Sequence, residues 1–252
     1  MKMEEESGVS KKHPWYLNVW VILGLILVAF VFFGLSQFFY KTYSYYQVIK
    51  SGQPQSSFMP IAEQTAEMKV KSMMAEKERE RVRRVVKSKD GDPFAGPVDA
   101  KYEIVIFEDF GCPYCKMAQA TIADLKKLRP DIKISYRDFP ITELHPDAMI
   151  AAQASRCMWQ QGDINKYNRY REVLYAHQNE FDLDSVKIYA ADVGADRTAF
   201  NLCMQQQGIE IRINQSILDA ENAGVTATPT FFVDGIKVEG VHEASKMLEL
   251  LK

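Results

Sequence analysis

From Trp15 to Tyr40 the chain carries no charged residue. As a helix rising 1.5 Å per residue, such a run is long enough to cross a hydrocarbon core of about 30 Å. Trp15, Tyr16 and Trp20 stand at one end of it, and Phe38, Phe39, Tyr40 and Tyr43 at the other, an aromatic belt at each interface. The alternative is a helix buried on all sides in a protein core, but core helices are rarely charge-free for this length. A cleaved signal peptide would have an apolar stretch of about 7–15 residues ending at a small-x-small site. Here the run is longer and leads into Phe-Phe-Tyr-Lys-Thr-Tyr. The expectation is an uncleaved signal-anchor, a single pass held in the lipid bilayer by residues 15–40. Lys2, Lys11 and Lys12 precede it and Lys41 follows. The positive-inside rule then leaves residues 1–14 as a polar cytoplasmic tail and puts the rest of the chain outside the cell membrane.

Residues 41–89 read as a polar, partly helical stalk. Gln47 to Pro60 is rich in turn formers, whereas Ile61 to Lys89 has neither Gly nor Pro and favours a helix. Its apolar stripe is broken: Ala66, Val70, Met73 and Met74, then Val82, Val85 and Val86, with the fully charged Glu76–Arg81 between them. Glu80 can pair with Arg84, while Arg79 and Arg83 repel at the same spacing. A solvated stalk and a coiled-coil or dimerising segment both fit. Because the basic cluster is interleaved with acids and the net charge is only −2, no nucleic-acid partner is expected.

A turn-dense stretch, Lys89-Asp-Gly-Asp-Pro-Phe-Ala-Gly-Pro-Val-Asp99, opens a folded domain over residues 90–252. Tyr102–Phe107 reads as a central strand, Cys112–Leu128 as a helix, and Ile132–Tyr136 as a second strand after the Pro130-Asp131 break. A helical insertion follows at about 144–224. It breaks at Gly162-Asp163, Asp182–Asp184, Gly194–Asp196 and Gly208, with Asp184 and Asp196 as N-caps. Thr230–Val233 and Ile236–Glu239 flank Asp234-Gly235, a strong hairpin signal. An amphipathic helix from His242 to Leu251 ends an α/β fold.

Two of the four cysteines, Cys112 and Cys115, lie three apart where the first strand meets the first helix. At a helix N-terminus the unpaired N–H groups and the helix dipole favour an anion. Such a thiol titrates at about 3.5–7.5 instead of about 8.5. Cys112 is therefore the expected nucleophile. Pro113 suits the first helical turn, having no N–H to lose there. One turn on, Cys115 faces inward and can resolve a mixed disulfide. The other readings are half of a zinc site or a purely structural disulfide. The zinc reading lacks a second close pair, since Cys157 and Cys203 are far apart. No metal or cofactor is expected.

Three stretches together carry a family likeness: Phe107-Glu-Asp-Phe-Gly-Cys-Pro-Tyr-Cys115, Arg137-Asp-Phe-Pro140 with His145-Pro146, and Ala227-Thr-Pro-Thr-Phe-Phe-Val-Asp-Gly235. With the lead-in Asp92–Asp99, the stretch from Asp90 to Lys252 resembles the DsbA-like thiol:disulfide oxidoreductases, in particular their membrane-anchored bacterial branch. The resemblance implies a thioredoxin fold with a helical insertion. It also implies a cis Pro229 after Thr228 beside the dithiol, where the Thr228 backbone pairs with an extended substrate. Pro113, Tyr114, Thr228 and Pro229 become active-site neighbours. Cys157 and Cys203 resemble a paired second disulfide, the alternative being two buried free thiols. The family's buried acid six positions before the first cysteine is here Ile106, and Glu108 and Asp109 are the open substitutes. His145 is placed near the site by the same likeness, whereas Tyr167, Tyr170 and Tyr175 read as packing. The implied activity is oxidation of reduced exported proteins or peptides, with a quinone-coupled membrane protein as reoxidant. A reductase or isomerase, and a redox-inert tethered binding protein, are the other readings.

Overall fold

The computed structural model describes residues 19–51 and 61–251. The tail at 1–14, Trp15, Tyr16 and most of the turn-rich stretch before Pro60 lie outside them. The chain divides into two compact units, Met1–Lys71 and Ser72–Lys252. In the first, α1 (Val19–Ser51) is a single helix. Its stretch Val21–Gln47 has a mean hydropathy of 2.5 and none of it is buried. Phe30, for example, is 75% exposed. With apolar side chains on all sides, α1 is long and apolar enough to span a bilayer.

In the second unit the last part of α2 (Ile61–Val86) precedes a five-stranded mixed sheet. The strands are β1 (Phe94–Ala95), β2 (Glu103–Glu108), β3 (Lys133–Asp138), β4 (Thr230–Val233) and β5 (Ile236–Glu239), in spatial order β1-β3-β2-β4-β5. Only β2 and β3 are parallel, joined by α3 (Pro113–Leu128). Between β3 and β4 come α4 (Ala148–Trp159), α5 (Ile164–Ala176), α6 (Leu183–Asp192), α7 (Arg197–Met204) and α8 (Gln207–Asn222), and α9 (Ala244–Leu248) ends the unit. This is the thioredoxin fold with a helical insertion.

The central strand is buried on both faces because it is apolar at every position from Ile104 to Phe107. Alternation assigns the faces. Ile104 and Ile106 join the larger core with α3 and the insertion, while Val105 and Phe107 pack with Val86, Ala220, Val225 and Phe232. The β4–β5 turn has Asp234 at φ 51° and Gly235 at φ 78°, as a tight two-residue hairpin requires.

Several sequence expectations shift locally. Glu80 pairs with Arg83 at 2.7 Å instead of Arg84. The repulsion between Arg79 and Arg83 is relieved because both guanidiniums reach the Asp234 carboxylate, at 3.0 and 2.8 Å. A Cβ on Gly235 would sit 2.9 Å from the Arg79 carbonyl, so the end of α2 lies directly on this turn. Asp182, not Asp184, caps α6, since its carboxylate accepts from the Asp184 and Ser185 N–H groups. Gly208 lies inside the first turn of α8 and breaks nothing. The closing helix is shorter than expected, Ala244–Leu248, and starts after His242, which bonds the Glu239 carbonyl through Nε2 and receives Thr121 Oγ1 on its own carbonyl.

A buried ionic cluster ties α2 to the sheet. Arg137, 1% exposed at its side chain, reaches Asp219 at 2.6 Å and Asp92 at 3.3 Å. It also donates to the carbonyls of Val86 and Lys87 at the end of α2. Arg156 spans Asp92 and Asp138. Deleting one cation strands buried carboxylates and carbonyls. Arg137→Met is expected to cost about 3–5 kcal/mol of stability, read as a fall in urea midpoint at unchanged slope. A loss below about 1 kcal/mol, the surface-pair range, would contradict this account.

Candidate active site

β2 delivers Glu108 and Asp109 to the turn, and Cys112 is the N-cap of α3 with Pro113 at the first helical position. The Cys112 carbonyl accepts from the Cys115 and Lys116 N–H groups at 3.1 and 3.2 Å, closing the first turn. Both thiols are unbridged and buried, Cys112 at 5% and Cys115 at 0% exposure. Tyr114, between them in sequence, is 61% exposed. On the other side the Thr228–Pro229 peptide is cis. The Cys112 thiol donates to the Thr228 carbonyl at 3.3 Å. The Thr228 hydroxyl is buried and has no hydrogen-bond partner among the described residues.

The two sulfurs titrate far apart. Cys112 is lowered to about 5, first by the neighbouring Cys115 thiol, against burial, and in part by the backbone N–H groups of Cys115 and Tyr114. Cys115 is raised well above the ordinary thiol value, first by burial, then by the neighbouring Cys112 sulfur and the charge of Glu108. Only the N–H of Asp109, 3.4 Å from its sulfur, works the other way.

The two acids have different duties. Ile106 is fully buried in the same core cluster as Cys115. Two positions on, Glu108 falls on the same side of the strand. Its carboxylate takes both terminal nitrogens of Arg171 and the Tyr175 hydroxyl, the last at 2.9 Å. Burial, then the charge of Glu108, holds the Tyr175 phenol protonated as a donor. The Arg171 guanidinium also stacks over Tyr136, 3.9 Å from the ring centre. Asp109 serves the loops instead. It accepts from the Gly111 N–H at 2.7 Å, the Ile141 N–H at 2.9 Å and His145 Nδ1 at 2.7 Å. His145 packs so closely that a Cβ on Gly111 would lie 2.5 Å from its own Cβ. Hence Gly111 is required where two loops meet.

The structure thus brings Cys112, Pro113, Tyr114, Cys115, Thr228 and Pro229 together, with His145 beside them. Cys157 and Cys203 lie elsewhere, bridged between α4 and α7 with an S–S distance of 2.02 Å. Arg171, Tyr175 and Gln178 are site neighbours that motif reading misses, Tyr175 having been assigned to packing alone. The available signal was an arginine on the core face of α5, four residues after Tyr167 and four before Tyr175, which demands a buried counter-charge. Among the described residues no three His, Cys, Asp or Glu side chains converge as a metal cage.

A dithiol at a helix start facing a Thr-Pro loop on this fold defines a thioredoxin-like class of protein. Residues 88–252 match the family model described as thioredoxin, and the chain belongs to the thioredoxin family. A thioredoxin-like oxidoreductase from Silicibacter pomeroyi DSS-3 superposes with a TM-score of 0.60 at 28% identity, covering 67% of this chain and 94% of that one. The thiol-disulfide exchange protein α-DsbA2 from Wolbachia pipientis shares the fold, with a TM-score of 0.62 at 24% identity over 72% of this chain and 98% of that one. Among curated relatives, the Na(+)/H(+) antiporter NhaA 1 of Salinispora arenicola is 31% identical over 151 residues, 60% of this chain. The match spans only 23% of that antiporter's length.

The lowered Cys112 and raised Cys115 act on stability with opposite signs. In the reduced protein Cys112 stabilises the fold above the unfolded value of about 8.5, and that contribution is lost as pH falls through about 5. Cys115 costs nothing below about 8.5 and destabilises above it. The stability of the reduced form relative to the oxidised form should therefore rise from about pH 5 to about 8.5 and decline beyond. Paired urea titrations of the two forms across pH test this, and a flat difference between pH 5 and 8 would refute the split.

Proposed function

We propose that this chain is a membrane-anchored thiol:disulfide oxidoreductase that introduces disulfides into exported proteins. In this reading α1 is the anchor, the N-terminus is cytoplasmic, and the dithiol works outside the membrane, where oxidation persists. The observation that carries it is the wide separation of the two thiols, with Cys112 lowered to about 5. A stabilised thiolate favours the reduced enzyme and so makes the Cys112–Cys115 disulfide a strong oxidant.

Catalysis begins when a substrate thiolate attacks Cys112 of the enzyme disulfide. A substrate–Cys112 bond forms, the Cys112–Cys115 bond breaks, and the leaving Cys115 thiolate takes up a proton. Its raised pKa keeps that proton on, which discourages Cys115 from reversing the step. A second substrate thiolate then attacks the substrate sulfur of the mixed disulfide, and Cys112 leaves as the stable thiolate. Two electrons have passed from the substrate dithiol to the enzyme. A quinone-coupled membrane protein would accept them and restore the disulfide. Exposed Tyr114 and the backbone at Thr228 line the approach, where an extended peptide can add as a strand.

Two substitutions test the scheme on a reduced peptide with two cysteines. Cys112→Ser should lose its oxidation by at least about a thousandfold, consistent with loss of the nucleophile. Cys115→Ala, with Cys112 first charged as a mixed disulfide with glutathione, should accumulate a covalent adduct with a single-cysteine peptide, glutathione leaving as the thiol. Undiminished oxidation by the Cys112 variant would end this reading. A potential near the thioredoxin value of about −270 mV would reverse its direction to reduction.

A further inference from the structure

Gln178 lies in the loop between α5 and α6, well outside the motifs that mark the dithiol. Its side-chain Nε2 donates to the Phe110 carbonyl and to the Cys112 carbonyl, each at 2.8 Å. One NH₂ group has two protons, and both are engaged. Across the same turn the Gly111 N–H is held by the Asp109 carboxylate. The backbone on either side of Gly111 is thus clamped from two directions.

The clamp is itself anchored. Asn179 adopts a left-handed φ of 68°. His177 stacks on Tyr189 with centroids 4.7 Å apart, and its Nδ1 lies 3.0 Å from the Glu180 carboxylate. Ser185 at the start of α6 donates to the Glu180 carbonyl at 2.8 Å. A half-buried amide carried on a loop fixed in this way has a defined aim.

Building on the dithiol reading above, we infer that Gln178 is a positioning residue for Cys112: from the helical insertion it fixes the carbonyls on either side of Gly111 and so sets the nucleophilic sulfur at the start of α3. Two effects follow. Carbonyl oxygens engaged by a donor present less negative potential to a nearby thiolate. A clamped loop also keeps its geometry as the sulfur passes between disulfide, mixed disulfide and thiolate.

The test uses the full chain in detergent with Gln178→Met, which keeps the length and removes both donors, and Gln178→Lys, which restores donors. Thiolate absorbance against pH should show Cys112 titrating about one unit higher in the Met variant. The glutathione equilibrium should move about tenfold toward the oxidised protein, or about 30 mV. The Lys variant should stay within about threefold of wild type in that equilibrium. If the Met variant does not fold, Gln178→Asn, one methylene short of the carbonyls, carries the same expectation. A Met variant with the wild-type titration and equilibrium, altered only in melting temperature, would reduce Gln178 to a structural tie and overturn the inference. A wild-type chain that does not exchange with glutathione would overturn the oxidoreductase reading and this one together, so the two failures are distinguishable.

Discussion

The electrostatic coupling between the Cys115 thiol and the Cys112 sulfur is the interaction that gives this domain its character. It lowers one sulfur and raises the other, because the proton that favours an anion on Cys112 is the proton Cys115 must then keep. The surroundings amplify that difference. The start of α3 offers N–H groups to Cys112, and burial in the core encloses Cys115. No metal ion or organic group is needed for this polarisation. It arises from where two identical side chains fall on a helix one turn apart.

Around the pair, the fold supplies charge in balanced units. Glu108, Arg171 and Tyr175 form one buried set beneath the dithiol, with the guanidinium against the Tyr136 ring. Arg137, Arg156 and Lys89 with Asp92, Asp138 and Asp219 form another between the end of α2 and the sheet. Both begin at the C-terminal ends of the parallel strands β2 and β3. These ends carry the adjacent charged residues Glu108-Asp109 and Arg137-Asp138, and almost every one of their polar atoms meets a partner within the domain. Burying so many charges is tolerable only with such pairing.

Much of this was legible in the sequence because it depends on local signals. The Cys-Pro-Tyr-Cys turn, the apolar β2 and the Asp-Gly hairpin are written in consecutive residues, and each lies where periodicity and turn chemistry place it. What escaped was long-range. Asp182 and Asp184 both look like caps, and only the chain direction entering α6 decides between them. The shared use of Asp234 by Arg79 and Arg83 joins residues more than 150 positions apart. The same holds for Arg171 and Gln178, which reach the site from a helical insertion whose register on the sheet no local pattern encodes. Glu108 was visible as a candidate, and the two-residue period from Ile106 explains why its carboxylate, rather than that of Asp109, bears on Cys115.

The separation of the two thiols also has a consequence for charge. At neutral pH the oxidised pair carries no charge, whereas the reduced pair carries one negative charge on Cys112 and none on Cys115. Redox state and isoelectric point are therefore the same variable in this domain. Oxidised and reduced molecules should form separate bands on isoelectric focusing without any label, the reduced band lying on the acidic side.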